Sequence, residues 1–134
     1  MPRDSAAPCL NDRATGMALS VLAEVSRMLE ALSDSGQAGA IDLRSLPLSD
    51  VDRTQLEEVL GRGEVQVALD IAGESEVWET TYPGVWWIRH RGADNKIATE
   101  EISVCAIPEI LITHPVDIKA AAGRLREELE TTHV

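Results

Sequence analysis

The stretch from Trp78 to Arg91, WETTYPGVWWIRHR, constrains the fold more than any other part of the chain. It holds all three tryptophans and the single tyrosine, and the chain contains no phenylalanine. A fully buried tryptophan removes about 200 Å² from water, which contributes roughly 4–6 kcal/mol as an upper bound. Because no other segment carries comparable side chains, we expect the core to form around this stretch.

The composition is that of an acidic protein with enough apolar residues for one core. The chain has 134 residues, of which 44% are hydrophobic, and this suits a single domain. Its net charge of −11 disfavours nucleic acid and anionic membranes as partners, whereas a basic client protein would be attracted. The same charge also favours solubility, so by itself it identifies no partner.

The N-terminal residues and the two cysteines favour a cytoplasmic location. Residues 1–13 lack the apolar segment of a secretory signal, and no apolar run is long enough to span a bilayer. Two cysteines, Cys9 and Cys105, are too few for a disulfide framework. The lack of such a framework is typical of proteins in a reducing compartment.

Periodicity divides the chain into a loose tail, residues 1–15, and one folded domain, residues 16–134. The pattern predicts helices over 16–33, 50–60 and from Pro115 onward, and strands over 64–71, 76–82, 85–91 and 97–107, with 41–43 as a candidate edge strand. Because helices flank strands that are joined by short connections, we predict an α+β fold. Its sheet is expected to be mainly antiparallel and four-stranded, with helices packed on one face.

Two local patterns refine the predicted helices. Ser49 and Asp52 have the spacing of a capping box at the start of the second helix. The last helix carries an apolar stripe that we expect to be buried, formed by Ile118, Ala121, Ala122, Leu125 and Leu129.

The two adjacent tryptophans must point to opposite faces of a strand. In each strand, alternate side chains share a face, and we expect the more apolar face to meet the helices. This places Trp86, Ile88, Ile102 and Val104 inside. The other face, which is partly open, then carries Trp87, Arg89, Ser103 and Cys105. A β-bulge in the last strand would reverse part of this assignment. Alternatively, the N-terminal tail or the loop with Pro108 covers Trp87.

Three residues of the aromatic stretch are candidate protein-binding contacts: Tyr82, Trp87 and Arg89. Aromatic and arginine side chains are common binding hot spots, and an exposed tryptophan often marks a contact surface. Two alternatives remain open. Arg89 and Arg91 are solvated charges at a strand end, or Trp87 serves only to form a homodimer.

The sequence contains no pattern that predicts a catalytic, cofactor-binding or metal-binding residue. His90, His114 and His133 lack the spacing of a metal pair, and there is no CxxC motif. Cys105 has no neighbouring sequence signal for an activated thiol. We therefore expect no cofactor.

Four segments together resemble the hydrogenase expression/formation proteins of the HupH (HyaF) family. The segments are IDLRSLPLS at 41–49, LGRGEV at 60–65, YPGVWWIRH at 82–90 and IPEIL at 107–111. The resemblance runs from about Leu19 to Leu129 and corresponds to the conserved C-terminal region of the family. Longer members have an additional N-terminal portion that is not found in this sequence.

The resemblance implies a non-enzymatic accessory or chaperone role in the maturation of [NiFe] hydrogenase. The expected partner is the precursor of the iron–sulfur small subunit before its export, together with other maturation proteins. The alternative is a metal- or thiol-dependent enzyme or carrier in the same pathway, which would use Cys105 or a histidine. A redox or cluster-related role of Cys9 or Cys105 is left open, as is a homodimer.

Overall fold

The computed structural model describes residues 14–70 and 73–132. Most of the predicted tail, Cys9, Ile71 and His133 lie outside the described residues. The helices are α1 (Met17–Ser35), α2 (Asp50–Leu60) and α3 (Pro115–Thr132), and short 3-10 turns cover Leu43–Ser45 and Glu109–Leu111. The strands are β1 (Gly39–Asp42), β2 (Gln66–Asp70), β3 (Glu74–Glu79), β4 (Val85–Arg91) and β5 (Ile97–Val104).

The five strands form one antiparallel sheet in the order β1-β5-β4-β3-β2. This confirms the predicted antiparallel α+β architecture, but the predicted count of four strands is wrong. The fifth strand is β1, which overlaps the candidate edge strand predicted at 41–43 and pairs with β5 so that Ile41 lies opposite Ile102. A strand of four residues is too short to show a clear alternation, and its pairing with β5 is a tertiary contact.

The predicted capping box at the start of α2 is confirmed. The Ser49 hydroxyl accepts a hydrogen bond from the Asp52 N–H at 3.0 Å, and the Asp52 carboxylate accepts one from the Ser49 N–H at 3.0 Å. The Thr15 N–H also donates to this carboxylate, at 2.8 Å. Burial raises the pKa of Asp52, but the bonds from Thr15 and Ser49 outweigh it and hold that pKa below its ordinary value.

Trp87, not Trp86, faces the helices. The main core cluster joins α1 and α2 to the sheet and contains Ala18, Val21, Val25, Leu43, Leu56, Leu60, Trp78, Val85, Trp87, Ile102 and Val104. Trp78 and Trp87 stack in it with ring centroids 5.7 Å apart. Ile102 and Val104 of β5 face the helices as predicted, whereas the predicted orientation of β4, with Trp86 and Ile88 toward the helices, is wrong. The β4–β5 register places Trp87 opposite Ile102, so these two side chains share a face.

The opposite face of the sheet is also covered. Val77, Trp86 and Ile88 form a second buried cluster, and Leu111 and Cys105 pack against it. The indole N–H of Trp86 donates to the Cys105 carbonyl at 3.2 Å. The segment that follows β5 therefore covers Trp86, and the prediction of a partly open face is wrong.

Helix α3 buries none of its residues against the described part of the chain. Its predicted core stripe is exposed, with fractional exposures of 56% for Ile118, 63% for Leu125 and 57% for Leu129. The 3.6-residue period correctly predicts an amphipathic helix, but it does not say what the apolar side contacts. Among residues 14–70 and 73–132, no helix has the length and apolar character needed to cross a membrane.

Candidate protein-binding surfaces

The centre of the helix-facing side of the sheet is a buried ion cluster around Glu100, whose side chain has 0% exposure. Its carboxylate accepts hydrogen bonds from the Trp87 indole N–H at 2.9 Å and from Arg89 Nε at 2.7 Å. Arg53 Nε donates to the second oxygen at 2.8 Å. One carboxylate thus joins α2, β4 and β5, and it balances charge that would otherwise be costly to bury.

Arg89 uses its donor groups inside the protein. Besides Glu100, it contacts Glu57 of α2, with Nη2 and the carboxylate oxygen 3.1 Å apart. Burial lowers the pKa of Arg89, but its hydrogen bonds and its attraction to Glu100 and Glu57 raise that pKa above the ordinary arginine value. The guanidinium is a structural cation, so the alternative of a solvated charge at the strand end is wrong for Arg89.

Burial also removes two of the three predicted binding contacts from the surface. Trp87 has 0% exposure and Arg89 has 9% exposure, so the prediction that they lie on an accessible face is wrong. Sequence reasoning missed Glu100, because it is one of two adjacent acidic residues in an acidic chain. Only the β4–β5 register, which places Arg89 opposite Glu100, distinguishes it from Glu101.

Tyr82 remains exposed, at 48%, beside an apolar groove between α1 and α2. It lies in the turn between β3 and β4, where Gly84 has a φ of 93° that favours glycine. The groove has a volume of about 370 Å³ beside Tyr82 and continues into a second depression of about 400 Å³. The α1–α2 groove, as we call it, is lined by Leu19, Leu22, Leu29, Val59 and Tyr82.

A second exposed apolar surface is the α3 stripe, defined as Ile118, Ala121, Ala122, Leu125 and Leu129. Helices in proteins are stabilised mainly by packing of their apolar side. No residue of α3 is buried by the described part of the chain, so the α3 stripe has no packing partner among those residues.

Three of the candidate chemical groups, Cys105, His90 and His114, lie in the described part of the chain, and each has its own neighbours. Burial raises the pKa of the Cys105 thiol, an effect that the Ser103 hydrogen bond opposes and the Glu101 charge strengthens. His90 Nδ1 lies 2.6 Å from the Ser75 hydroxyl, and His114 accepts a hydrogen bond from the Val116 N–H at the start of α3. Residues 14–70 and 73–132 contain no group of three histidine, cysteine or carboxylate side chains placed to hold a metal.

These features define a small α+β protein whose charged groups stabilise its own core and whose exposed apolar surfaces suit protein contacts. Residues 16–132 match the family described as HupH hydrogenase expression protein, C-terminal conserved region. The chain belongs to this family, which confirms the resemblance noted in the sequence.

Individual relatives carry corresponding names. The chain is 32% identical over 95 residues to the hydrogenase expression/formation protein HupH of Rhodobacter capsulatus, an alignment that covers 71% of this chain and 34% of that protein. It is 33% identical over 91 residues to the hydrogenase-1 operon protein HyaF of Escherichia coli, covering 68% of this chain and 32% of that protein. The chain therefore spans about a third of the length of these relatives.

A solved structure has the same fold. The hydrogenase expression protein HupH from Thiobacillus denitrificans is 39% identical in sequence and superposes with a TM-score of 0.85. The superposition covers 88% of this chain and 98% of that one. Similarity at this level extends across nearly the whole described fold.

Proposed function

We propose that this chain is an accessory protein of hydrogenase maturation that binds the precursor of the iron–sulfur small subunit before its export. Membership of a family of hydrogenase expression proteins supports the pathway. The observation that carries a binding role is the α1–α2 groove, in which Leu19 is 75% exposed, Val59 50% and Tyr82 48%.

The groove has the properties of a protein contact. Apolar side chains exposed side by side lose unfavourable hydration when a partner covers them. Tyr82 adds a large, rigid side chain with a hydroxyl, which is the chemistry of a binding hot spot. Glu58 lies on the rim, and the whole chain carries a net charge of −11, so the surface favours approach of a basic client. The same contacts suit other maturation proteins with basic, apolar segments.

A binding role rather than catalysis fits the use of the polar side chains. The strongest charge cluster, around Glu100, is internal, and burial disfavours the reactive thiolate of Cys105. The carrier or enzyme alternative would need a reactive thiol or a metal ligand set, and the described residues offer no geometry that favours it.

The double substitution Tyr82→Ala with Val59→Ser tests the groove. It should weaken binding to the small-subunit precursor by at least about tenfold, because losing one aromatic and one aliphatic contact at an interface typically costs more than 1.4 kcal/mol. Biolayer interferometry with purified small- and large-subunit precursors measures the change. Val116→Ser is the matched control, since Val116 is 66% exposed and lies outside the groove. Unchanged affinity of the double variant would refute the groove as the contact surface.

A homodimer is a second candidate assembly, and the α3 stripe is the observation that favours it. We expect the parent chain to have the mass of two chains in light scattering and the variant Leu125→Glu with Leu129→Glu to have the mass of one. The variant should remain folded by circular dichroism, because surface substitutions have small effects on stability. A parent that is monomeric at all tested concentrations would rule out this dimer.

A further inference from the structure

Strand β2 forms one edge of the sheet, and among the described residues it pairs only with β3. An unpaired edge presents a row of backbone donors and acceptors to other chains. Proteins usually protect such an edge with proline, lysine or a bulge. The β2 sequence QVALD contains neither proline nor lysine, and its pairing with β3 is continuous.

The hydrogen-bond pattern identifies which backbone groups are free. The Glu79 N–H donates to the Val65 carbonyl at 2.9 Å, so the backbone carbonyl of Val65 points toward β3. Antiparallel pairs alternate between bonded and non-bonded positions, and therefore Val67 and Leu69 also point their backbone groups toward β3. The N–H and C=O groups of Gln66, Ala68 and Asp70 consequently point away from the sheet.

The two sides of this edge differ chemically. Val67 and Leu69 are half-buried and continue the apolar cluster of Val77, Trp86 and Ile88. The register with β3 places Asp70 and Glu74 on the other side, the one that faces the helices. Depressions of about 270 and 460 Å³ lie along the strand, and both are lined by Ala68 and Glu76 of the helix-facing side. A neighbouring strand would therefore find room on that side for its helix-facing side chains.

Charge selects the kind of strand that fits. Glu64, Asp70 and Glu74 are exposed, and none of them has an ion-pair partner in the described part of the chain. If a second copy of β2 paired along this edge, its carboxylates would lie near those of the first copy. Like-charge repulsion disfavours that pairing. A segment with basic residues on the helix-facing side and apolar residues on the other would complement both sides.

We propose that the β2 edge receives an extended segment of a partner polypeptide, in which basic and β-branched apolar residues alternate, as a sixth strand of the sheet. Main-chain hydrogen bonds to Gln66, Ala68 and Asp70 supply affinity, and the alternating side chains supply specificity. The inference rests on the proposed function only for the identity of the polypeptide that contributes this segment.

The acetylated, amidated peptide KVRVKVR is a suitable probe, with EVEVEVE as its charge-reversed control. Calorimetry should detect binding of the basic peptide, weakening as salt is raised, and no binding of the acidic one. Two further peptides carry N-methyl groups on one or the other alternating set of residues. Because only one set can donate to β2, their affinities should differ by about tenfold or more. Equal affinities would overturn the proposal.

Amide hydrogen exchange measured by NMR locates the site. Saturating peptide should slow exchange at Gln66, Ala68 and Asp70 by about tenfold or more, whereas the opposite edge strand β1 should not change. Ala68→Pro removes the central donor and should abolish binding, and Ala68→Thr retains the donor and should bind as the parent does. Peptide binding without protection of these three amides would overturn the proposal.

The two proposals can fail separately, because the peptide experiment uses no hydrogenase component. The variant Tyr82→Ala with Val59→Ser should bind KVRVKVR with the affinity of the parent. Loss of peptide binding in that variant would assign the peptide to the α1–α2 groove and would refute the β2 site.

Discussion

Replacing Glu100 with alanine is expected to lower the free energy of unfolding by about 3–5 kcal/mol, the usual cost of removing one partner of a buried ion pair. Without this carboxylate, Arg89 keeps its partner Glu57 but loses the bond at 2.7 Å, and the Trp87 indole N–H loses its acceptor. Arg53 also loses its closest buried partner. Urea denaturation measures the change, with the slope of the transition expected to be the same for both proteins.

Glu101→Ala is the matched control for the Glu100 substitution. Glu101 is the next residue of β5 and points to the opposite face, and within residues 14–70 and 73–132 its carboxylate accepts a hydrogen bond only from the Ser103 hydroxyl, at 3.2 Å. Its loss should cost about 1 kcal/mol or less. Combining Glu100→Ala with Arg89→Met should cost less than the sum of the single changes, since each single change leaves the other charge unbalanced. Equal effects of Glu100→Ala and Glu101→Ala would show that the ion cluster contributes no special stability.

Trp87→Ala is expected to destabilise the protein by at least about 4 kcal/mol, and Trp86→Ala by about 3 kcal/mol. Both side chains are buried, so both changes leave cavities. The loss is larger for Trp87 because it stacks on Trp78, beside helix α2, and because its removal leaves Glu100 with one donor fewer. Trp86 lies under the segment after β5 and donates to the Cys105 carbonyl.

Chemical denaturation of the two tryptophan variants ranks them directly. Circular dichroism at low denaturant confirms that each variant is folded before its transition is compared with that of the parent. The face assignment made from the sequence would give the opposite order, with a small loss for Trp87. A loss for Trp87→Ala below about 1 kcal/mol, the usual range of a surface change, would therefore contradict the packing described for β4.

The family segment YPGVWWIRH combines a scaffold with a candidate contact. Trp87 and Arg89 stabilise the junction of the sheet with α2, through Glu100 and Glu57. Tyr82 lies in the turn that precedes them and is exposed beside the α1–α2 groove. The binding energy of such a surface comes from a few accessible side chains, while the buried ones keep those contacts at fixed positions.

Local patterns were sufficient to predict most helices and strands. Helix α2 follows its Ser49 cap and covers Asp50–Leu60, as the sequence predicts, and β4 covers Val85–Arg91 as expected. These features depend on interactions between residues close in sequence: side-chain caps, turn conformations and the alternation of a strand. The antiparallel α+β class followed from the same features, since the connections between strands are short.

Only the tertiary structure decided which face of β4 meets the helices and which residues remain exposed. Both faces of β4 carry a tryptophan, so its pattern alone is ambiguous, and the register with β5 is a long-range contact that places Trp87 opposite Ile102 and Arg89 opposite Glu100. The same holds for α3, whose apolar stripe is visible in the sequence although no described residue covers it. The hydrophobic periodicity of a segment indicates which of its side chains favour burial. Which residues bury them depends on how segments distant in the sequence pack together.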